Sequence, residues 1–457
     1  MPPLAERRRR ELTVKLQTLK RELGDWQTST SQPPFRRHFS QVARIKTMLD
    51  GLLESMEKSS EWQNPTDAIV LTRAAEWERR ILTAHAIWEV FRSKLAQRFD
   101  THFQMRLAAC DDLAWACYEP AMKKLSTATR EPPLLYLNST WSAFLRRRDV
   151  AFDKDVEAGK DARELLDETD YRTTLKKLPV PLLGLPWFQV AHLPSALLIA
   201  HEIGHAVEFD FDLTAKIASA LRAAGLQHEA DWLGCASEVF ADLYGVLCLG
   251  SYFAGSLLDL LAGDPAFIAG EDAFGVYPTR AYRVELAVYA LTALGQDADA
   301  QAVRTAWESQ YGAMQRLVDY RDDAKKVVDS IYGSNGMHLT AVITPPAGNI
   351  PAVAQQAAGN QTVKLADQSD PRVLFAALRY AYENETENRA AQAATLIVQQ
   401  VVNKNAGVFR FRGTEVAKQS DVQQQLAAIE KDDLAMGRDL ARLLRLERDQ
   451  ADAGGGS

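Results

Sequence analysis

The chain has 457 residues, of which 47% are hydrophobic and 25% charged, and a formal net charge of -7. That length allows two or three domains with an ample core, and the composition is ordinary for a soluble fold, so no exotic structural class is needed. The acidic balance gives no basic field for a phosphate backbone, which disfavours nucleic-acid binding as a main function.

Residues Arg7 to Arg10 form a basic run with no apolar segment behind it, while Leu12, Leu16, Leu19 and Leu23 recur at helical spacing. This is the start of an amphipathic helix and not a signal peptide. From Pro2 to about Thr127 nearly everything reads helical. The clearest case is Asp67 to Phe99, where Trp77, Ile81, Trp88, Phe91 and Leu95 form one apolar stripe. His85 and His102 in this region stand outside any metal spacing, and Ser31 to Pro34 reads as a turn.

The character changes at Glu131-Pro132-Pro133. Leu134 to Leu137 is a short strand candidate, and Val180 to Phe188 is extended and punctuated by prolines. An apolar run from Leu193 to Val207 then reads as a buried helix carrying His201-Glu202-Ile203-Gly204-His205. On a helix, residues i and i+4 share a face, so His201 and His205 can aim imidazole nitrogens at one metal ion. Glu202, one residue round, can reach a water there without being a ligand. That is the mechanical content of H-E-x-x-H: two neutral imidazoles for Zn2+ and a carboxylate general base.

A catalytic zinc normally takes a third protein ligand. The metzincin extension would need Gly at 208 and His at 211, but Glu208 and Phe211 stand there. A second helical stretch, from about His228 to Leu261, places Glu238 and Asp242 four apart among Leu233, Val239, Phe240, Leu243, Val246 and Leu247. Two carboxylates on one face of an apolar helix are costly to bury unless something positive meets them. The most apolar part, Leu243 to Leu261, contains Asp259, Gly245, Gly250 and Gly255 and reads as a core helix instead of a membrane span. The four cysteines, Cys110, Cys117, Cys235 and Cys248, form no C-x-x-C pair; they read as packed residues, with a reducing, cytoplasmic location as the expectation.

H-E-x-x-H followed some thirty residues later by E-x-x-x-D resembles the gluzincin zinc metallopeptidases. The resemblance implies zinc bound by His201, His205 and Glu238, Glu202 as general base, and Asp242 accepting the Nδ1 proton of His201. It also implies a small sheet before the first zinc helix, whose edge strand pairs with an extended peptide substrate. Tyr277-Pro278-Thr279-Arg280-Ala281-Tyr282-Arg283 resembles the H-P-x-x-x-x-R segment of the branch containing the integral-membrane CAAX-type proteases and their soluble relatives. Pro278 and Arg283 match, whereas Tyr277 replaces the histidine. Tyr277, Tyr282 and Arg280 are therefore the candidate donors to a developing oxyanion. The recognisable motifs span about Leu193 to Arg283. No G-x-M-E-N segment for amine recognition precedes His201, which leaves endo- and exopeptidase action both open.

Beyond Arg283 the pattern is helical again, including a helix from about Asp299 to Ile331. A glycine-rich turn, Gly333 to Gly336, leads to a strand-like Met337 to Ile343 carrying His338, a further candidate transition-state donor. Pro345 to Asn360 reads as a loop or mobile lid, and Asp370-Pro371 opens a helix through Val402. Val408 to Phe411 is a strand candidate, Ser420 to Arg448 a last amphipathic helix, and Gly454 to Ser457 an added linker.

The expectation is a mainly α (α+β) fold: an N-terminal helical region (1–130), a zinc metallopeptidase core with a small sheet (131–290) and a C-terminal helical region (291–453). The expected function is zinc-dependent hydrolysis of a protein or peptide substrate, with no nucleic-acid or membrane partner. The alternative is a non-catalytic helical scaffold braced by a structural zinc.

Overall fold

The structure, a computed structural model, describes residues 2–30, 35–125, 130–141, 143–146, 180–271, 273–312, 318–334, 336–360, 370–405, 427 and 430–440. The chain divides into two units, one comprising Met1–Asp100, Arg146–Leu182 and Ala406–Ser457, the other Thr101–Leu145 and Leu183–Asn405.

The Met1–Asp100 segment of the first unit is helical: α1 (Leu4–Ser29), α2 (Phe39–Glu57), the single turn α3 (Ser60–Gln63) and the long α4 (Asp67–Ala96) among its described residues. The leucine stripe of α1 and the Trp77, Ile81, Trp88, Phe91 and Leu95 stripe of α4 are buried, as their spacing requires. Thr66 caps α4 by accepting from the Ile69 N–H at 3.3 Å. Trp26 meets Phe35, Trp88 and Phe99 edge to face, and Phe35 lies tilted against Phe99. The buried Asp433 accepts from Arg44 at 2.8 and 3.0 Å.

The second unit opens with α5 (Gln104–Leu125) and a three-stranded sheet of order β1 (Leu134–Asn138), β3 (Leu182–Pro186), β2 (Phe144–Arg146). There follow α6 (Trp187–Ala191), a 3-10 turn over Leu193–Leu198, α7 (Ile199–Asp210), α8 (Thr214–Ala223), α9 (Glu229–Gly234), α10 (Ala236–Leu249), α11 (Ser251–Leu261) and α12 (Pro265–Ala269). Next come α13 (Arg280–Ala293), α14 (Asp297–Tyr311), α15 (Val318–Tyr332), a 3-10 turn over Leu339–Ala341, α16 (Ile350–Ala358), α17 (Pro371–Asn384) and α18 (Glu387–Asn405). At the centre α7 packs along α10, and α5 lies against α7. Three buried phenols tie this core to main-chain or acidic oxygens: Tyr118 to Asp210, Tyr244 to the Cys117 carbonyl and Tyr332 to the Leu243 carbonyl, each at 2.6 Å.

The mainly helical class with a small sheet is as expected, and so is the strand at Leu134. Several boundaries differ. Only Ile199 onward is α-helical in the Leu193–Val207 run, because the proline-started segment winds as a 3-10 turn first. The single helix expected over His228–Leu261 is three, broken at Cys235 and at Gly250, whose φ of 61° only glycine adopts readily. The helix expected over Asp299–Ile331 is two, and so is the one over Asp370–Val402, where Asp370 does cap α17. Met337–Ile343 is a turn and a 3-10 segment and not a strand. Pro345–Asn360 holds α16, capped by Asn349, where a loop was expected. His102 lies in the turn before α5, outside any helix. The Ser31–Pro34 turn, the Val408–Phe411 strand and the Gly454–Ser457 linker lie outside the described residues. Of the last helix, residues 430–440 are described and helical. Among the described residues no helix is long and apolar enough to cross a membrane, and all four cysteines are buried free thiols.

Candidate metal centre

His201, Glu202 and His205 sit in the first two turns of α7, and Ser237, Glu238 and Asp242 in the first two of α10. The two helices approach closely because Gly204, inside the motif, has no side chain: a Cβ there would lie 2.8 Å from the Ala241 Cα. Ala241 directly precedes Asp242 and lies one helical turn after Glu238, so this close helix contact is also where the polar groups converge.

Glu238 Oε2 lies 3.2 Å from His201 Nε2 and 3.4 Å from His205 Nε2, and it is buried without a well-directed hydrogen bond. Among the described residues these three side chains form one group able to hold a metal, their ligand atoms all within 4.8 Å of one another. Each imidazole is held from behind through its other nitrogen. His201 Nδ1 is 2.8 Å from Asp242 Oδ1, and His205 Nδ1 is 3.1 Å from Ser237 Oγ, which donates to Glu208 Oε2. Thr214 Oγ1 donates to the other oxygen of Glu208 at 2.8 Å. With both Nδ1 atoms engaged, the Nε2 atoms face Glu238.

Asp242 accepts from Arg283 as well, by Nε to Oδ2 at 2.7 Å and Nη2 to Oδ1 at 2.8 Å. Burial raises its pKa, but Arg283 and then His201 outweigh that, leaving the carboxyl far below its ordinary range. Glu202, 8% exposed, has the opposite fate. Burial dominates and pushes its pKa up, although the two imidazoles and the Leu145 N–H of β2 oppose the shift. A carboxyl whose pKa burial raises is a stronger proton acceptor than an ordinary one.

In front of His201 and Glu202 opens a cleft of about 400 Å³, also lined by Gln189, Tyr277, Arg280 and Leu260. Tyr277, half exposed, lies with its ring 5.1 Å from the Arg283 guanidinium carbon, and burial followed by the nearby Glu238 raises its pKa. Arg280 reaches the cleft too, but its guanidinium donates to Glu271 at 2.7 Å and stacks over Phe267. Tyr282 is elsewhere, 4% exposed in an aromatic cluster with Phe274 and Tyr320. His338 is exposed in a left-handed turn and is not among the residues lining the cleft. Cys235 packs inward, and burial pushes its thiol up to about 12.

The sequence reading gave no role to Ser237, Glu208, Thr214, Gln189 or the Leu145 N–H, and matched Arg283 only as part of a motif. The signal present for Glu208 was its place three residues after His205, one helical turn on. For the others nothing in the spacing marks them.

The donor set suits zinc: two imidazole nitrogens and one carboxylate oxygen, with second nitrogens hydrogen-bonded and one buried carboxylate oxygen otherwise without a partner. Ligands ~2.0–2.1 Å from a tetrahedral zinc stand about 3.3 Å apart, which is the observed Glu238-to-histidine spacing. Compared with known protein families, with curated proteins and with solved structures, the chain matches none.

Proposed function

We propose that this chain is a zinc-dependent peptidase of gluzincin type that hydrolyses peptide bonds in a protein or peptide substrate, working in the reducing cytoplasm. The observation that carries the reading is the convergence of His201, His205 and Glu238 beside the buried Glu202 at an open cleft. A purely structural zinc more usually takes four Cys or His ligands and has no use for Glu202.

When bound by these three side chains, zinc supplies Lewis acidity to a substrate carbonyl and lowers the pKa of water. Glu202 takes the proton of the attacking water and delivers it to the leaving nitrogen, for which its raised pKa is the right adjustment. Tyr277, at the cleft, donates its phenolic hydrogen bond to the oxyanion, with the Arg283 charge behind its ring adding positive field. Asp242, Ser237 and Glu208 keep both imidazoles in the tautomer that presents Nε2.

The test is metal content together with cleavage of a mixed peptide library read by mass spectrometry. Glu202→Gln should retain zinc and lose turnover by about 10²–10⁴-fold. An unchanged rate removes Glu202 from the base role, and tightly held zinc with four protein ligands and no cleavage favours a structural scaffold.

A further inference from the structure

The short helix α6 follows the sheet and displays Trp187 and Phe188 to solvent at 52% and 37% exposure. Its next residue, Gln189, turns the other way: it is 3% exposed and lines the cleft together with His201 and Glu202. Among the described residues no hydrogen-bond donor reaches Gln189 Oε1. A buried acceptor left without a donor weakens a fold, and an apolar side chain of the same length would avoid that loss. A ligand N–H would supply the missing donor, and a site built this way rejects analogues that lack it. The same cleft has an aliphatic wall formed by Leu198, Leu260 and Leu261. A single acceptor beside an aliphatic wall matches the local repeat of an extended peptide, in which an amide N–H neighbours a side chain.

We infer that Gln189 is a specificity-determining residue: its Oε1 accepts a hydrogen bond from a main-chain N–H of a peptide whose adjacent aliphatic side chain seats against Leu198, Leu260 and Leu261. This deepens the reading of the cleft as a peptide site and rests on it. The acceptor selects peptides over esters, which have no N–H at that place.

Binding is read on the full chain, zinc-loaded and chelator-treated, by affinity selection from blocked hexapeptides and then by calorimetry on a selected peptide. Selected peptides should carry Leu, Ile or Met at one fixed position. Methylating the adjacent amide nitrogen should weaken binding about tenfold or more. Gln189→Met should weaken the unmethylated peptide to a similar degree and leave the methylated one no worse, so that the two losses do not add. Without peptide, Gln189→Met should melt at a higher temperature, since the orphan acceptor is gone. Additive losses, an affinity untouched by Gln189→Met, or a selection retaining no peptide overturns the inference. So does a variant that melts lower, because the amide then serves the fold. Peptides bound in this manner but never cleaved leave the role of Gln189 standing and remove the peptidase reading. Peptides cleaved with a KM indifferent to Gln189→Met do the reverse.

Discussion

Asp242 is where a single substitution says most about the site. Its carboxylate, 1% exposed, holds the His201 imidazole with one oxygen and the Arg283 guanidinium with both. Asp242→Asn preserves the shape and removes the charge, so zinc affinity should fall about 10–100-fold in competition with a chromophoric chelator. The same change leaves Arg283 buried without its counter-ion, and a denaturant melt should show a loss of about 3 kcal/mol. If both quantities are unchanged, Asp242 positions nothing. His205 gives a pH prediction. In the metal-free chain, burial lowers its pKa, but the nearby Glu208 and Glu238 carboxylates outweigh that and push it from 6.5 to about 10. Zinc must displace that proton, so its affinity should rise about tenfold per pH unit between pH 6 and 8, with proton release visible by calorimetry in buffers of differing ionisation heat. The sign for folding is the reverse. A raised histidine pKa stabilises the metal-free chain fully below pH 6.5, and that contribution is lost as pH climbs toward 10. A zinc affinity flat across pH would mean that the imidazoles are not ligands.

At the scale of elements, the pairing of α7 with α10 is the decisive contact, and Gly204 permits it. Gly204→Ala gains helix propensity of about 1 kcal/mol, yet its methyl would meet the Ala241 backbone, which cannot rotate away. The overpacking cost of about 1–3 kcal/mol should win, seen as a lower melting temperature together with weakened zinc binding as the ligand helices part. A variant as stable as the parent would show that the helices are not held this closely. Element boundaries were less legible in the sequence than element types. The apolar run over α10 and α11 is continuous in composition, and Gly250 breaks it by its backbone angle, which composition does not display. The α16 segment misleads in the opposite direction: its Ala, Gln and Pro content reads as loop. Yet Asn349 as cap, Pro351 in the first turn and buried Ile350, Val353, Ala354 and Ala357 at helical spacing were there to be read.

For the whole molecule, the metal site belongs to the second unit alone, since all its residues fall within Leu183–Asn405. Zinc in excess of its dissociation constant by 100-fold should stabilise that unit by about 2.7 kcal/mol. Hydrogen exchange should therefore slow across α7 and α10 on adding zinc while α1 to α4 keep their rates. Uniform slowing of both units, or of neither, would contradict a site confined to the second. The first unit shows how far periodicity alone carries: the α1 and α4 stripes read from leucine and tryptophan spacing are the buried faces.

The sequence by itself determined the helical class, the strand at Leu134, and which polar residues share one face within α7 and within α10, because i to i+4 spacing is a property of one helix and needs no partner. What only the tertiary structure decided is everything requiring two chain segments at once. That includes Arg283 beneath Asp242, Ser237 and Glu208 behind His205, the Leu145 N–H at Glu202, and Gln189 facing the cleft while Tyr282 and His338 lie away from it. The reason is physical. Local patterning sets the face of an element on which a side chain lies, whereas the packing of elements sets what that face meets.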